Sequence, residues 1–269
     1  MKHFLISPAR MPSLILAVCT GPIMFSDPAT AATLEIPVLR DATLYQDATG
    51  NQASGAGDFL TAGRNNQGTN SIRRSLLQFD LTTLPAGAVV ASATLRLHLT
   101  TTVSTETVVL TLHRMAAKWG AGPGNPSGNE PNGVAPVSGD STWLQAEFPA
   151  TLWAAPGGDF STTASASATV SNSSGFFAWS SAQLLTDVNG WIANPGQNFG
   201  WILRSDESTP QTAKRFESGD NTSVSFRPAL VIDYSVVPEP GPWLLGLGSC
   251  LPLMARRRRN APQPGRKAP

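Results

Sequence analysis

The segment SLLQFDLTTLPAGAVVASATLRLHL, residues Ser75–Leu99, indicates the fold class of the chain. Its second half alternates strictly, because Ala or Leu stands at every second position from Ala93 to Leu99 and polar residues stand between them. Successive side chains of a β-strand point to opposite faces, so this pattern predicts a strand over Ala91–Thr100 with one buried and one solvated face. Val108–Met115 alternates in the same way after a polar turn, and we expect the two segments to form an antiparallel hairpin.

Short segments of the same kind, separated by clusters of Gly, Pro and Asn, continue through the middle of the chain. Ala182–Ile192 differs, since its apolar residues are spaced as on one face of a helix and Ser180 or Ser181 can cap its start. The sequence therefore predicts an all-β fold, an antiparallel β-sandwich with one short helix, and we find no internal repeat that would divide residues 33–236. Thr33–Leu39 and Ala42–Gln46 are expected to form one opening strand or a pair of strands. Further strands are expected at Phe59–Ala62, Arg73–Phe79, Phe160–Val170, Phe199–Arg204, Ala213–Glu217 and Ala229–Val236.

Residues 1–32 have the layout of a secretory signal peptide. Lys2 and Arg10 provide the charged start, and the apolar stretch Met11–Phe25 is too short to span a bilayer as a helix. Small residues follow, so we expect signal peptidase to cut after Ala31 or Ala32 and the mature chain to be exported.

Residues 237–269 form a second end segment with its own pattern. Its prolines lack an amide donor and therefore end the last predicted strand. The apolar run Gly241–Ala255 predicts a short helix, below the ~20 residues that cross a bilayer. Four arginines follow this run and hold the C-terminal end on the cytoplasmic side, because arginine enters the bilayer only at high cost.

This end segment resembles the PEP-CTERM protein-sorting signal of Gram-negative bacteria. The resemblance implies recognition by an exosortase, a transient inner-membrane stage, and delivery to the cell surface or the extracellular matrix. Either cleavage near the Pro-Glu-Pro sequence or retention as an uncleaved anchor fits the pattern. The residues that carry the resemblance are Pro238, Glu239, Pro240, Arg256, Arg257, Arg258 and Arg259.

The chain between the two end segments is acidic and free of cysteine. Eleven Lys and Arg and sixteen Asp and Glu remain in residues 33–236, which gives a net charge of about −5 instead of the +1 of the full sequence. Nucleic-acid binding draws on Lys and Arg at phosphates, so nucleic acid is excluded as a partner. Cys19 and Cys250 both lie in the end segments, which excludes disulfides, Cys-ligated metals and Cys nucleophiles from the middle of the chain.

Residues 75–99 resemble the DNRLRE domain, also classed as family 96 of the carbohydrate-binding modules. Three later stretches fit the same family in order, namely Thr142–Phe160, Asp187–Glu207 and Arg215–Tyr234. The resemblance covers about the whole of residues 33–236 and implies a β-sandwich of jelly-roll type. For the characterised members it also implies binding to polysaccharide, notably acidic polysaccharide such as alginate. Its motifs are strand and turn residues, so no binding residue is carried over.

No pattern of catalytic residues stands out between the end segments. The sequence has no nucleophile elbow, no His-Glu-x-x-His and no glycine-rich phosphate loop. His98 and His113 would lie nearly opposite each other on the solvated face of the predicted hairpin, where they could form a metal or acid–base pair, but surface histidines are more often inert. Carboxylates that could cleave a polysaccharide lie in polar loops, where solvated charge is the usual role. We therefore expect no enzymatic activity.

Sugar binding needs aromatic faces for the C–H surface of a ring, and fixed polar groups for hydroxyls or carboxylates. Arginine matches a carboxylate with two parallel hydrogen bonds. Tyr45, Trp119 and Trp143 are the candidates for exposed rings, although core packing is the favoured interpretation of the two tryptophans. The carbohydrate-binding candidates are Tyr45, Arg74, Arg96, His98, His113, Trp119 and Trp143. The tryptophans assigned to packing are Trp153, Trp191 and Trp201.

The sequence thus predicts an exported surface or matrix protein whose β-sandwich binds extracellular polysaccharide without catalysis. The alternative is an inert structural or adhesive matrix domain that binds protein partners, and a polysaccharide-degrading enzyme is the third interpretation. No cofactor is expected except a structural calcium ion, for which the Asp and Asn residues of Asp47–Asp58 and Ser205–Asn221 offer oxygen ligands.

Overall fold

Two antiparallel sheets packed face to face form the domain, in a computed structural model that describes residues 30–100 and 104–236. The predicted all-β sandwich with one short helix is confirmed. No helix within these residues is both long and apolar enough to span a bilayer. The elements are β1 (Thr30–Tyr45), β2 (Phe59–Arg64), β3 (Ile72–Phe79), β4 (Ala88–Leu99), β5 (Val108–Met115), β6 (Gln145–Glu147), β7 (Thr151–Leu152), β8 (Phe160–Val170), β9 (Gly175–Ser180), α1 (Ala182–Ala193), β10 (Trp201–Arg204), β11 (Lys214–Glu217) and β12 (Ala229–Val236).

Two strands belong to both sheets. The first sheet contains β9, β4, β12 and β11 with the beginnings of β1 and β2. The second sheet contains β8, β5, β10 and β3 with the ends of β1 and β2. β1 changes sheets where its register shifts, between Val38 and Arg40. Of the two possibilities for Thr33–Leu39 and Ala42–Gln46, a single opening strand is therefore the observed one, and the break between the two segments marks this crossing.

The side chains between the sheets form the main apolar core. Leu95 and Leu97 of β4 join Leu110 and Leu112 of β5 in one buried cluster. Trp179 of β9 belongs to the same cluster, and its indole N–H donates to the Leu110 carbonyl at 2.9 Å. Each buried leucine of this kind stabilises the fold by about 1.5–3 kcal/mol.

The predicted hairpin of Ala91–Thr100 with Val108–Met115 is wrong. β4 pairs with β9, β11 and β12, whereas β5 pairs with β8 and β10 in the opposite sheet. Alternation fixes which face of a strand is buried, but it does not fix the neighbouring strand. The apolar faces of β4 and β5 therefore meet across the sandwich and not side by side.

A second apolar cluster covers the outer face of the second sheet. The long segment 116–159, between β5 and β8, places Trp119, Trp143 and Trp153 against β1, β3 and β10. The indole N–H of Trp119 donates to the Phe199 carbonyl at 2.8 Å. Because of this cover, both faces of the second sheet are buried where the segment lies.

The helix α1 begins where the sequence predicts. Ser181 is its N-cap, and the Ser181 hydroxyl accepts a hydrogen bond from the Leu184 amide at 3.0 Å. Asp187 faces the core from the middle of the helix and is buried. Its carboxylate accepts hydrogen bonds from the Ser165 hydroxyl and, at 3.0 Å, from the indole N–H of Trp201. A single carboxylate thus joins the helix to β8 and β10.

Two further carboxylates are buried near the place where β1 and β2 change sheets. Asp41 of β1 accepts a hydrogen bond from the Gly219 amide at 2.7 Å. Glu130 of the long segment accepts from the Asp58 amide at 2.6 Å and from the Phe59 amide at 3.3 Å, which ties this segment to β2. Burial raises the pKa of Asp41 to about 7 and the pKa of Glu130 to about 7.

Candidate functional site

The outer face of the first sheet carries three neighbouring aromatic side chains, Phe176, His98 and Phe226, which we call the ring platform. The leucines of β4 point into the core, so the alternation of the strand turns Arg96 and His98 outward. β9 pairs beside β4 and places Phe176 directly opposite His98. Phe226 comes from the short 3-10 turn Val224–Phe226 between β11 and β12.

The three rings contact one another. The His98 ring stacks on Phe226 with centroids 4.0 Å apart and planes 8° apart, and it meets Phe176 edge-on at 4.9 Å. Phe176 and Phe226 are 46% and 36% exposed, whereas His98 is buried beneath them. The platform therefore presents two half-exposed phenyl rings that a buried imidazole holds in place.

Arg96 borders the ring platform and carries the nearest charge pair. Its guanidinium carbon lies 4.9 Å from the Phe176 centroid, and one of its nitrogens donates to the Glu35 carboxylate at 2.6 Å. Both side chains of this ion pair are partly exposed. An ion pair of this kind contributes about 1 kcal/mol or less, so either partner can form a hydrogen bond to a ligand hydroxyl at little cost.

A buried contact between His98 and Glu217 lies below the ring platform. Nδ1 of His98 is 3.9 Å from Oε1 of Glu217, which is too long for a hydrogen bond, and this nitrogen has no hydrogen-bond partner within the residues that the structure describes. Burial lowers the pKa of His98 and raises the pKa of Glu217. The imidazole is therefore neutral at physiological pH, and its stack on Phe226 is a contact between uncharged rings.

The three candidates for exposed rings are buried, which corrects their candidate role as a sugar platform and confirms core packing for Trp119 and Trp143. Tyr45, Trp119 and Trp143 are 1%, 0% and 8% exposed. The two tryptophans pack because the segment 116–159 covers an outer sheet face that alternation alone would leave open to solvent. Tyr45 lies below Arg73, whose guanidinium carbon is 4.9 Å from its ring centroid. The assignment to packing is confirmed for Trp153, Trp191 and Trp201.

Arg74 and His113 belong to the second sheet, so they do not join the ring platform. His113 lies in β5 and His98 in β4, and because these strands are in different sheets the two histidines do not lie opposite each other as the predicted hairpin would have placed them. Nδ1 of His113 is 2.9 Å from the Ser161 carbonyl. Of the seven carbohydrate-binding candidates, the structure places Arg96 and His98 at the ring platform, and it brings Arg74 and Trp143 together on the second sheet.

Arg74 is occupied by contacts inside the protein. Its guanidinium donates to both carboxylate oxygens of Glu207 at 2.8 Å and to the Gly157 carbonyl at 2.6 Å, and it lies over the Trp143 ring at 4.7 Å. Gly157 has φ 93°, and a Cβ there would come within 2.7 Å of Trp143. Arg74 therefore fastens the long segment to the second sheet.

Replacing Arg74 with lysine is expected to lower the free energy of unfolding by about 1–2 kcal/mol, because lysine cannot form the two parallel bonds to Glu207. Urea unfolding followed by tryptophan fluorescence measures the change. Arg204→Lys is the matched control, since Arg204 binds the same carboxylate from a more exposed position and should lose less. Equal losses in the two variants would contradict the role given to Arg74.

Phe176 and Phe226 are the platform residues that the sequence analysis missed. β9 reads Gly-Phe-Phe-Ala-Trp-Ser and alternates, with Phe177 and Trp179 packed against the core and Phe176 outward, so its pattern could have revealed Phe176. Phe226 lies in a three-residue turn, where no sequence period applies. Its position over His98 depends on a contact between segments far apart in the chain.

Two further predictions, the calcium site and the export segments, concern residues outside the ring platform. Within residues 30–100 and 104–236 no three His, Cys, Asp or Glu side chains are grouped as metal ligands, so calcium in Asp47–Asp58 or Ser205–Asn221 stays a prediction. The sorting residues Pro238–Pro240 and Arg256–Arg259 lie outside the described residues, as does the predicted signal peptide up to residue 29. Thr30, at the predicted cleavage site, is the first residue of β1.

No protein-family model matches this chain, and no curated protein matches it either. The ring platform is therefore interpreted from its own geometry and from the sequence patterns described above.

Proposed function

We propose that the domain binds extracellular polysaccharide without catalysis and that sugar rings stack on the ring platform. The observation that carries this proposal is the pair of half-exposed rings, Phe176 and Phe226, on an open sheet face beside Arg96. Phenyl faces accept the C–H surface of a pyranose ring, while arginine and glutamate exchange hydrogen bonds with its hydroxyls. The resemblance to the DNRLRE domain supports the same ligand class.

The openness of the ring platform favours a long chain over a small molecule. Small-molecule sites are concave and enclose most of their ligand, whereas Phe176 and Phe226 lie on the outer face of a sheet. A polysaccharide can lie across such a face and contact both rings with neighbouring sugar units.

Export to the cell surface or matrix of a Gram-negative bacterium belongs to the same proposal. The signal-peptide pattern of residues 1–32 and the sorting pattern of residues 237–269 support it. Signal peptidase and an exosortase are the partners proposed for export, with a transient membrane stage through the C-terminal segment.

The double change Phe176→Ala and Phe226→Ala is expected to abolish most polysaccharide binding, and each single change is expected to weaken it about tenfold, because a lost ring contact costs about 0.5–1.5 kcal/mol beyond its buried area. Affinity electrophoresis of residues 33–236 through gels that contain neutral or acidic polysaccharides measures the retardation.

Leu152→Ala is the matched control, because Leu152 is an equally apolar side chain, 69% exposed, on β7 outside the ring platform. Its retardation should equal that of the unchanged domain. If the double variant is retarded as strongly as the unchanged domain, the platform does not bind glycan. Retention of the domain by matrix material whose glycans have been digested would instead favour a protein partner.

A further inference from the structure

A polar cleft separate from the ring platform lies where three loops meet, with a volume of about 420 Å³. This volume is within the range of roughly 300–1,000 Å³ that ligand pockets occupy. Its walls come from the loop after β1, the loop between β2 and β3, and the long segment 116–159, and Arg73 of β3 contributes its side chain. The lining residues are Asp47, Ala48, Gln52, Gln67, Gly68, Thr69, Asn70, Arg73 and Asn132.

Arg73 forms a rigid floor for the cleft. The side chain is 2% exposed and stacks on the Tyr45 ring. Its guanidinium donates to the carbonyls of Gln46 and Ile72 at 2.9 Å, and more weakly to Asn132 Oδ1 at 3.4 Å. These acceptors belong to all three loops or their adjoining strands, so a single side chain fixes the walls relative to one another before any ligand arrives.

Several wall side chains are held by hydrogen bonds through one group and keep a second group free. Gln52 Oε1 accepts from the Gly133 amide at 3.1 Å and leaves the amide NH₂ available. Asn132 Oδ1 accepts a hydrogen bond from Arg73, and one carboxylate oxygen of Asp47 accepts from the Thr49 amide at 2.8 Å. Among the described residues, the side-chain amide of Gln67 has no protein partner. Gln52, Asn132 and Asp47 therefore line the cleft with fixed groups that have unused hydrogen-bonding capacity, and Gln67 adds an unbonded side-chain amide.

The charge of the cleft decides the class of ligand. Its lining contains one cation, Arg73, and one anion, Asp47, so it offers no excess charge to an ionic ligand. Side-chain amides with one carboxylate provide alternating donors and acceptors, which match the hydroxyls of a sugar ring. We propose that this cleft binds a neutral sugar unit through its hydroxyls.

This inference rests on the proposed function for the ligand class, since both surfaces would bind glycan, but it uses different residues. A neutral unit in the cleft also differs from the acidic polysaccharide that the family resemblance implies.

The test is a titration of residues 33–236 with methyl glucoside, methyl galactoside, methyl mannoside and glucuronate, followed by the side-chain NH₂ signals of Asn and Gln in nuclear magnetic resonance spectra. At least one neutral glycoside should shift the signals of Gln52, Gln67 and Asn132, and glucuronate should shift them less. The variant Gln67→Ala should weaken the neutral glycoside about fivefold, as the loss of one hydrogen bond implies. Gln197→Ala, at an exposed glutamine outside the cleft, is the matched control.

The proposal is overturned if no neutral glycoside shifts the cleft signals, if glucuronate shifts them as strongly, or if Gln67→Ala leaves the titration unchanged. The double variant Phe176→Ala with Phe226→Ala should keep the full cleft response. If the double variant loses polysaccharide binding and no glycoside shifts the cleft signals of the unchanged domain, the proposal for the ring platform stands and the proposal for the cleft is rejected. A cleft response without any polysaccharide retardation would reject the platform alone.

Discussion

Replacing Asp187 with alanine is expected to lower the free energy of unfolding by about 3–5 kcal/mol, because two buried donors lose their acceptor at once and each orphaned group costs about 1–3 kcal/mol. These donors are the indole N–H of Trp201 and the Ser165 hydroxyl. Trp201 is fully buried and packs on Trp191 with ring centroids 4.5 Å apart, so water cannot replace the lost carboxylate without disturbing the core. Chemical unfolding monitored by circular dichroism measures the loss.

Gln183→Ala is the matched control for Asp187. Gln183 lies one turn earlier on α1, is exposed, and donates to the same carboxylate at 3.2 Å. Its removal should cost less than about 1 kcal/mol, because its amide remains accessible to water. A loss in Asp187→Ala no larger than that of Gln183→Ala would show that the carboxylate does not join the helix to the sheets.

The second large effect that we expect is a fall in the free energy of unfolding as the pH rises. The pKa of Asp41 is raised from its ordinary value of 3.8 to about 7, and the pKa of Glu130 from 4.5 to about 7. The folded domain therefore holds protons that the unfolded chain releases between about pH 4 and pH 7. The stabilisation is complete below the unfolded pKa values and is lost as the pH rises through 7. Since one pKa unit corresponds to 1.36 kcal/mol, Asp41 alone accounts for about 4 kcal/mol.

The variant Asp41→Asn isolates this effect, because asparagine can still accept the Gly219 amide but does not ionise. As the pH rises from 5 to 8, the free energy of unfolding of this variant should increase by about 2–4 kcal/mol relative to that of the unchanged domain. Burial lowers the pKa values of His98 and His113 from their ordinary value of 6.5, which acts in the opposite direction below that pH, so the comparison is made as a difference between the two proteins.

Thermal melting of both proteins across this pH range is the measurement. Asp206→Asn, at an exposed loop position, is the matched control for the loss of one carboxylate charge. A constant difference in melting temperature between Asp41→Asn and the unchanged domain from pH 5 to pH 8 would contradict the raised pKa of Asp41.

Local sequence patterns predicted most of the strands and the helix. The alternation around Leu95 follows the period of a strand, and the apolar spacing around Val188 follows the period of a helix. Both segments bury the faces that these periods select. Ser181 could be found as the N-cap for the same reason, since the side chain that caps a helix acts on an amide three residues away.

Strand neighbours and the ring platform could not be predicted in this way. The partners of β4 come from β9, β11 and β12, far along the chain, and no local pattern encodes such pairings. The exposure of Trp119 depends on a cover supplied by the segment around it, whose Gly, Pro and Asn composition resembles that of a solvated loop. Phe226 reaches His98 only through the tertiary fold, so the candidate site had to be assembled from the structure.

The pairing of β1 with β12 has a mechanical consequence. Thr30 lies opposite Val236, so the chain enters and leaves the described domain at the same point. In the exported chain, which is expected to begin after Ala31 or Ala32, a tensile force between the two ends of the domain would act across this pair and break its hydrogen bonds one after another, starting with the outermost. A force applied at Val236 and opposed at a point elsewhere on the sheet loads β12, which is held along its length by β1 on one side and β4 on the other. The hydrogen bonds of both pairs then share the load, whereas stretching between the two ends opens a single pair from its edge.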